Sequence, residues 1–265
     1  MQSSETPGKS DLTSKDQVSK WIETGFSPEA VVVYGTTVET LNKILRTGEI
    51  PHYLMSDLME HSRPHDLESV RKTLDRVSGK KLYFGYPLLS RLEDKPEFID
   101  QFKEAMKRED ISDFSDDFFL DLAVLYANNN VIEDYFEQKT GKKYSAIDLL
   151  TAAKDLVPEE FNEYIKERPW IDIDVDEEGD EKILYEIKRE FGDEKASEVL
   201  AAALKRRGVL LFFNRELLEN TDLIPGFEDE HEIVVASDKP LTITAIAGIK
   251  VLSGVEKDDL LRVAA

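Results

Sequence analysis

The uninterrupted apolar, β-branched runs of this chain lie near its two ends, with a long helix-patterned stretch between them. "AVVVYG" (30–35) and "KKLYFGYP" (80–87) stand near the start; "GVLLFFN" (208–214), "EIVVAS" (232–237) and "LTITAIAGIKVLS" (241–253) stand near the end. Short runs of this kind bounded by turn residues suit buried strands, and the last is long enough for two strands or for one bent at Gly248. Two strands from the N-terminal part alone make too small a sheet to be stable. The economical solution is a single α+β core, a split β-sheet contributed by both chain ends, with a large helical insertion between the contributions. The expected organisation is a polar tail at 1–14, the N-terminal part of the core at 15–100, the insertion at 101–205 and the C-terminal β part at 206–265.

Charge narrows the function. The 265 residues carry 34 basic and 55 acidic side chains, a net charge of −21. A field of that sign repels phosphate backbones, so nucleic acid is disfavoured as a partner. Cysteine is absent, which removes disulfides and thiolate metal sites. The four histidines, His52, His61, His65 and His231, are scattered. His61 and His65 have a helical i, i+4 spacing, but Pro64 between them opposes a regular helix. The acidic stretch at 172–183 fails as a calcium loop, with Glu177 where glycine is needed and Ile183 where the bidentate glutamate belongs. No metal site is expected. No apolar run approaches a membrane span, and the first residues lack the apolar segment of a secretory signal, so the expected setting is cytoplasmic with no membrane partner. Phosphate loops of the Walker type and Gly-x-Ser-x-Gly elbows do not occur.

Helices are expected at 15–25, 37–47 and 66–78 and through much of 87–206. Lys205–Arg207 would end one of them, and "WIDIDVDEEGDEKI" (170–183) reads as an edge strand or an extended link. The second helix has the fullest set of signals. Thr36 and Glu39 match a capping box. Val38, Leu41, Ile44 and Leu45 share a face. Gly48 stands where a left-handed cap is wanted, and Ile50–Pro51 leaves extended. Gly35, just before this helix, lets another group approach the backbone.

"VVYGTTVETLNKILRTGEIP" resembles the opening strand and helix of ADP-ribosyltransferases, in the branch related to the poly-ADP-ribose polymerases and RNA 2′-phosphotransferases, where the strand ends in a His-Gly-Thr-like triplet. Gly35 and Thr36 match it, and Tyr34 replaces the histidine. "GKKLYFGYP" resembles the family's next core strand, and "EDEHEIVVASDKPLTITAIAGIKVLS" its last segment, in which a catalytic glutamate precedes an apolar strand. The resemblance implies an NAD⁺-dependent transferase with a split β core. Glu232 would be the catalytic carboxylate, with Glu230 handling the acceptor. Tyr34, Gly35 and Thr36 would hold NAD⁺, and Tyr83 or Tyr86 would stack on nicotinamide. The acceptor is open, with a protein among the candidates; relatives with Glu-x-Glu often use an arginine guanidinium. If Glu230 and Glu232 lay in a strand, they would share a face. The alternative is a non-catalytic protein of the same fold that binds a partner or ligand. It accommodates Tyr34 and the lack of an aromatic on the segment after "GYP".

Overall fold

The computed structural model describes residues 15–52, 77, 79–107, 111–166, 177–215, 217, 221–225 and 232–252, with side chains from 181 onward in the helix that begins at 177. These residues form eight helices and six strands. They fall into two compact units, residues 15–124 with 209–251, and residues 125–208 with Leu252.

The first unit is built around an antiparallel sheet of β1 (Ala30–Thr36), β2 (Lys81–Pro87), β3 (Val209–Asn214), β4 (Thr221–Pro225), β5 (Ile233–Ser237) and β6 (Ile246–Val251), in the order β4-β5-β2-β1-β3-β6. Both chain ends contribute, as the apolar runs predict. β1 pairs with β3 from Ala30↔Asn214 to Thr36↔Val209, and β2 pairs with β5 from Lys81↔Ser237 to Gly85↔Ile233. The middle seam is different: the β1–β2 ladder consists of Val32↔Pro87 and Val33↔Tyr86. The sheet therefore divides into β4-β5-β2 and β1-β3-β6, joined over a short length. Gly85 makes that junction possible, because a Cβ there would sit 2.8 Å from Val32 Cγ1 and 2.9 Å from the Val33 carbonyl oxygen.

Helices close the apolar faces. α1 (Lys15–Thr24) buries Val18 and Trp21. The turn after it seats Phe26 edge-on against Phe212, ring centroids 5.2 Å apart. It also brings the Gly25 carbonyl so near Gly248 that a Cβ there would lie 2.1 Å from the oxygen. α2 (Val38–Thr47) buries Leu41, Ile44 and Leu45, the stripe its spacing predicts. Arg91 spans the approach to β1: its guanidinium lies 4.3 Å over the Phe26 ring and donates to the Ser27 carbonyl at 2.6 Å. α3 (Pro96–Lys107) buries Phe98, Phe102 and Met106, and α4 (Asp116–Thr140) begins in this unit.

The second unit is helical: the remainder of α4, α5 (Ala146–Leu156), α6 (Pro158–Lys166), α7 (Glu177–Phe191) and α8 (Asp193–Leu204). Ile132, Phe136, Leu149, Leu150, Tyr164, Ile187, Leu200 and Leu204 form its core. α5 starts at a complete capping box between Ser145 and Asp148, and Glu133 of α4 accepts from Ala146 N at 2.7 Å. Lys205 is the C-cap of α8, and Arg207 donates to the Leu204 carbonyl at 2.6 Å, as expected of a basic helix end.

Four local expectations need correction. The N-cap of α2 is Thr37, whose side chain accepts from Thr40 N; Thr36 is the last residue of β1, so the box with Glu39 does not form. Glu177–Ile183 is helical rather than extended, because Ile183, Leu184, Ile187 and Phe191 fall at helical spacing on the core. The stretch from Leu241 to Ala245 is a turn and a 3₁₀ segment (Ile243–Ala245) rather than strand, its backbone bonding the exit of α2. β4 was not foreseen. The predicted helix at 66–78, apart from Val77, and His61, His65 and His231 lie outside the described residues, as do residues 172–176 of the candidate calcium loop.

Candidate functional site

β1 passes into α2 through a single residue, Thr37, so Tyr34, Gly35 and Thr36 are the last residues of the strand. Tyr34, Gly35 and Thr36 pair with Leu211, Leu210 and Val209 of β3. On the other side the β1–β2 ladder has already ended at Val33, so the β2-facing edge of Tyr34–Thr36 lies outside it. Thr36 and Thr37 are buried. Thr37 accepts from Thr40 N at 3.1 Å and starts a ten-residue helix that ends at Gly48, whose φ of 72° is the left-handed cap.

Tyr83 and Tyr86 both belong to β2 and both are buried. Three residues apart in a strand, they point to opposite faces, so they do not form one aromatic wall. Tyr86 stands opposite Val33 and Tyr83 opposite Val235. The Tyr83 hydroxyl accepts from Leu241 N at 2.8 Å, and its phenol is pushed up in pKa, chiefly by burial. The His52 ring lies 6.0 Å from that of Tyr83.

Glu232 directly precedes β5, whose first residue completes the row Pro225–Ile233–Gly85 across three strands. β2 separates β5 from β1, so the backbone at Glu232 is two strand spacings, roughly 10 Å, from β1. Glu232 is 4% exposed, and it is the one charged residue among the buried polar groups of the described chain. It lies ahead of the strand rather than within it, so strand alternation does not pair it with Glu230, which falls outside the described residues.

A cleft in this unit lies at the other end of β5. It measures about 690 Å³ and is lined by Lys80, Asp222, Ser237, Lys239, Leu241 and Thr244 among others. Lys80 holds Asp222 at 2.6 Å and lies 4.0 Å from Asp238; the hydrogen bond to Asp222 leads the effects that raise the lysine pKa. The lysine charge is thus already committed within the protein. Nothing in the sequence announces this cleft, because its walls come from segments far apart in the chain.

No family model, no curated protein and no solved structure matches this chain. Among the described residues no group of three or more histidine, aspartate or glutamate side chains is arranged to hold a metal ion, and no helix is long and apolar enough to cross a membrane. Glu232 and the Gly35 end of β1 therefore stand on their own chemistry. A carboxyl group withdrawn from water at a strand head is held in one place, and a strand edge outside its ladder can offer backbone hydrogen bonds to a flat amide.

Proposed function

We propose that the chain is an ADP-ribosyltransferase-like enzyme that splits NAD⁺ and passes ADP-ribose to an acceptor. The observation that carries this reading is the burial of Glu232. In a chain with 55 acidic residues, a chance Glu-x-Glu before a strand belongs to a solvated loop; glutamate is almost never fully buried unless its carboxyl is paired or hydrogen-bonded. Support also comes from the short seam between β1 and β2, where two register pairs join the two halves of the sheet.

In the proposed reaction the bond from nicotinamide nitrogen to ribose C1′ breaks. The bonding pair leaves with neutral nicotinamide, and positive charge develops on C1′ and the ring oxygen. Glu232, accepting a hydrogen bond from the ribose 2′-hydroxyl, stabilises that charge where it forms. The Gly35 backbone holds the carboxamide, and Tyr34 and Thr36 flank it. An acceptor nucleophile then bonds to C1′ and gives up its proton, a role assigned to Glu230.

Glu232→Gln removes the charge and keeps the shape. Nicotinamide release by the wild type, with about a 10²–10³-fold loss in Glu232→Gln and little change in NAD⁺ affinity, is the expected result. Equal release by both proteins would sink the assignment of Glu232.

A second reading, NAD⁺ or ligand binding without turnover, is favoured by the position of the 690 Å³ cleft away from Glu232. Calorimetry that records NAD⁺ binding by a protein releasing no nicotinamide would select it.

A further inference from the structure

Resting on that reading, we infer that Tyr83 acts through its hydroxyl as a positioning residue, fastening the β2 half of the sheet to the end of α2 and so setting where the Gly35 end of β1 stands relative to β2. The bonds form a continuous chain. Tyr83 Oη accepts from Leu241 N at 2.8 Å. The Leu241 carbonyl accepts from Ile50 N at 2.9 Å, and the Gly48 carbonyl accepts from Ile243 N at 3.0 Å. Glu49 and Thr242 bridge as isolated antiparallel partners. A side chain of β2 thereby holds the Leu241–Ile243 segment, and that segment holds the chain as it leaves α2.

The consequence follows from lever geometry. α2 is ten residues long, a rod of about 15 Å, with the Gly35 end of β1 leading into it and this latch at its far end. The β1–β2 ladder stops at Val33, so no register pair ties Tyr34–Thr36 to β2. The latch supplies a tie between the two halves beyond that point. It also occupies the hydroxyl, at a residue only 6% exposed. The role is therefore carried by the oxygen, where a stacking role would need only the ring.

Two variants separate those roles. Tyr83→Phe keeps the ring and deletes the hydroxyl. Ile243→Pro touches no aromatic and deletes the N–H donated to Gly48. Proline suits this site because Ile243 is the first residue of its 3₁₀ segment and Thr242 before it is extended at φ −108°, ψ 168°. Hydrogen exchange is the first readout. In both variants the amides of Gly35 to Thr40 should exchange about tenfold faster, while the β3–β6 amides keep their protection. Calorimetry is the second: NAD⁺ affinity should fall about tenfold in both, the scale of one buried hydrogen bond, with a larger change in KM than in kcat for nicotinamide release. Unchanged exchange at Gly35–Thr40 in Tyr83→Phe overturns the inference, and so does wild-type NAD⁺ affinity in both variants. If the wild type binds no NAD⁺, the ADP-ribosyltransferase reading fails, and the exchange rates still decide the latch.

Discussion

The two units bury similar side chains but assemble them over different chain distances. In the sheet unit Val33 faces Phe212, and Gly85 faces Ile233, with the whole helical unit threaded between. In the helical unit the partners are nearer in sequence, though not only adjacent: α5 packs on α6, α7 and α8, and Ser197 of α8 donates to the Leu156 carbonyl, 41 residues away. Local contacts form at small loop-closure cost, while the sheet must wait for its distant strands. The candidate chemistry lies in the unit that depends on distant pairing, which is where two separate segments can converge on one site.

The sharpest way to break this comparison is to remove the centre of the helical core. Phe136 is fully buried and meets Tyr144 and Phe191 edge-on at 5.8 and 5.6 Å. Phe136→Ala should lower stability by about 3–5 kcal/mol. Hydrogen exchange should show protection lost from residues 125–208 before it is lost from β1, β3 and β6. Simultaneous loss would mean that the two cores unfold as one body.

The corresponding test of the sheet unit is Gly248→Ala. A methyl placed 2.1 Å from the Gly25 carbonyl must displace the turn after α1, because the obstacle is backbone. The expected loss is about 1–3 kcal/mol, with faster exchange in α1 and β6. Thermal unfolding unchanged from wild type would show that the turn yields freely.

Legibility in the sequence follows the same division. β1, β2, β3 and β5 are continuous apolar runs and were readable as strands because both their faces are buried. β4 was missed because "TDLIP" is short, half-exposed and ends in Pro225, which suits a sheet edge but gives no alternation to read. Leu241–Ala245 has strand composition, yet its hydrogen bonds go to Gly48–Ile50, a partner no periodicity reveals. Glu177–Ile183 follows the alternating acids and aliphatics of 170–176 and reads as extended with them, whereas the helical core takes Ile183, Leu184 and Ile187. Of the candidate site, α2 and its Gly48 cap were legible because caps are local, although its N-cap falls at Thr37, one residue after the expected Thr36. The burial of Glu232 and the bond from Leu241 to Tyr83 were not, since each depends on the order in which strands lie side by side.

Helix starts offer a finer comparison, one in each unit. The Thr37 hydroxyl caps α2 by accepting from Thr40 N at 3.1 Å and donates to Thr40 Oγ1 at 3.2 Å. Thr37→Ala should cost about 1 kcal/mol, read as a lower urea midpoint with unchanged slope. A cost near zero would mean that β1 and the Gly48 cap hold the helix without it.

The smallest expected effect is a pH dependence at the start of α5, where the Ser145–Asp148 box already provides two bonds and Glu133 adds a third. Burial leads the effects that push the Glu133 carboxyl up from its ordinary value, with the Ala146 N–H pulling it back. A carboxyl raised in the folded state binds its proton more tightly there than in the unfolded chain. Its contribution to stability therefore falls as pH rises from the ordinary glutamate range through the raised value, and it is recovered on acidification through the same window. Glu133→Gln keeps an oxygen to accept from Ala146 N and abolishes the titration. The variant's unfolding midpoint, measured from mildly acidic to neutral pH, should decline less than that of the wild type over this window. Parallel curves would show that the carboxylate is effectively solvated and that the capping box alone governs this end of the helical unit.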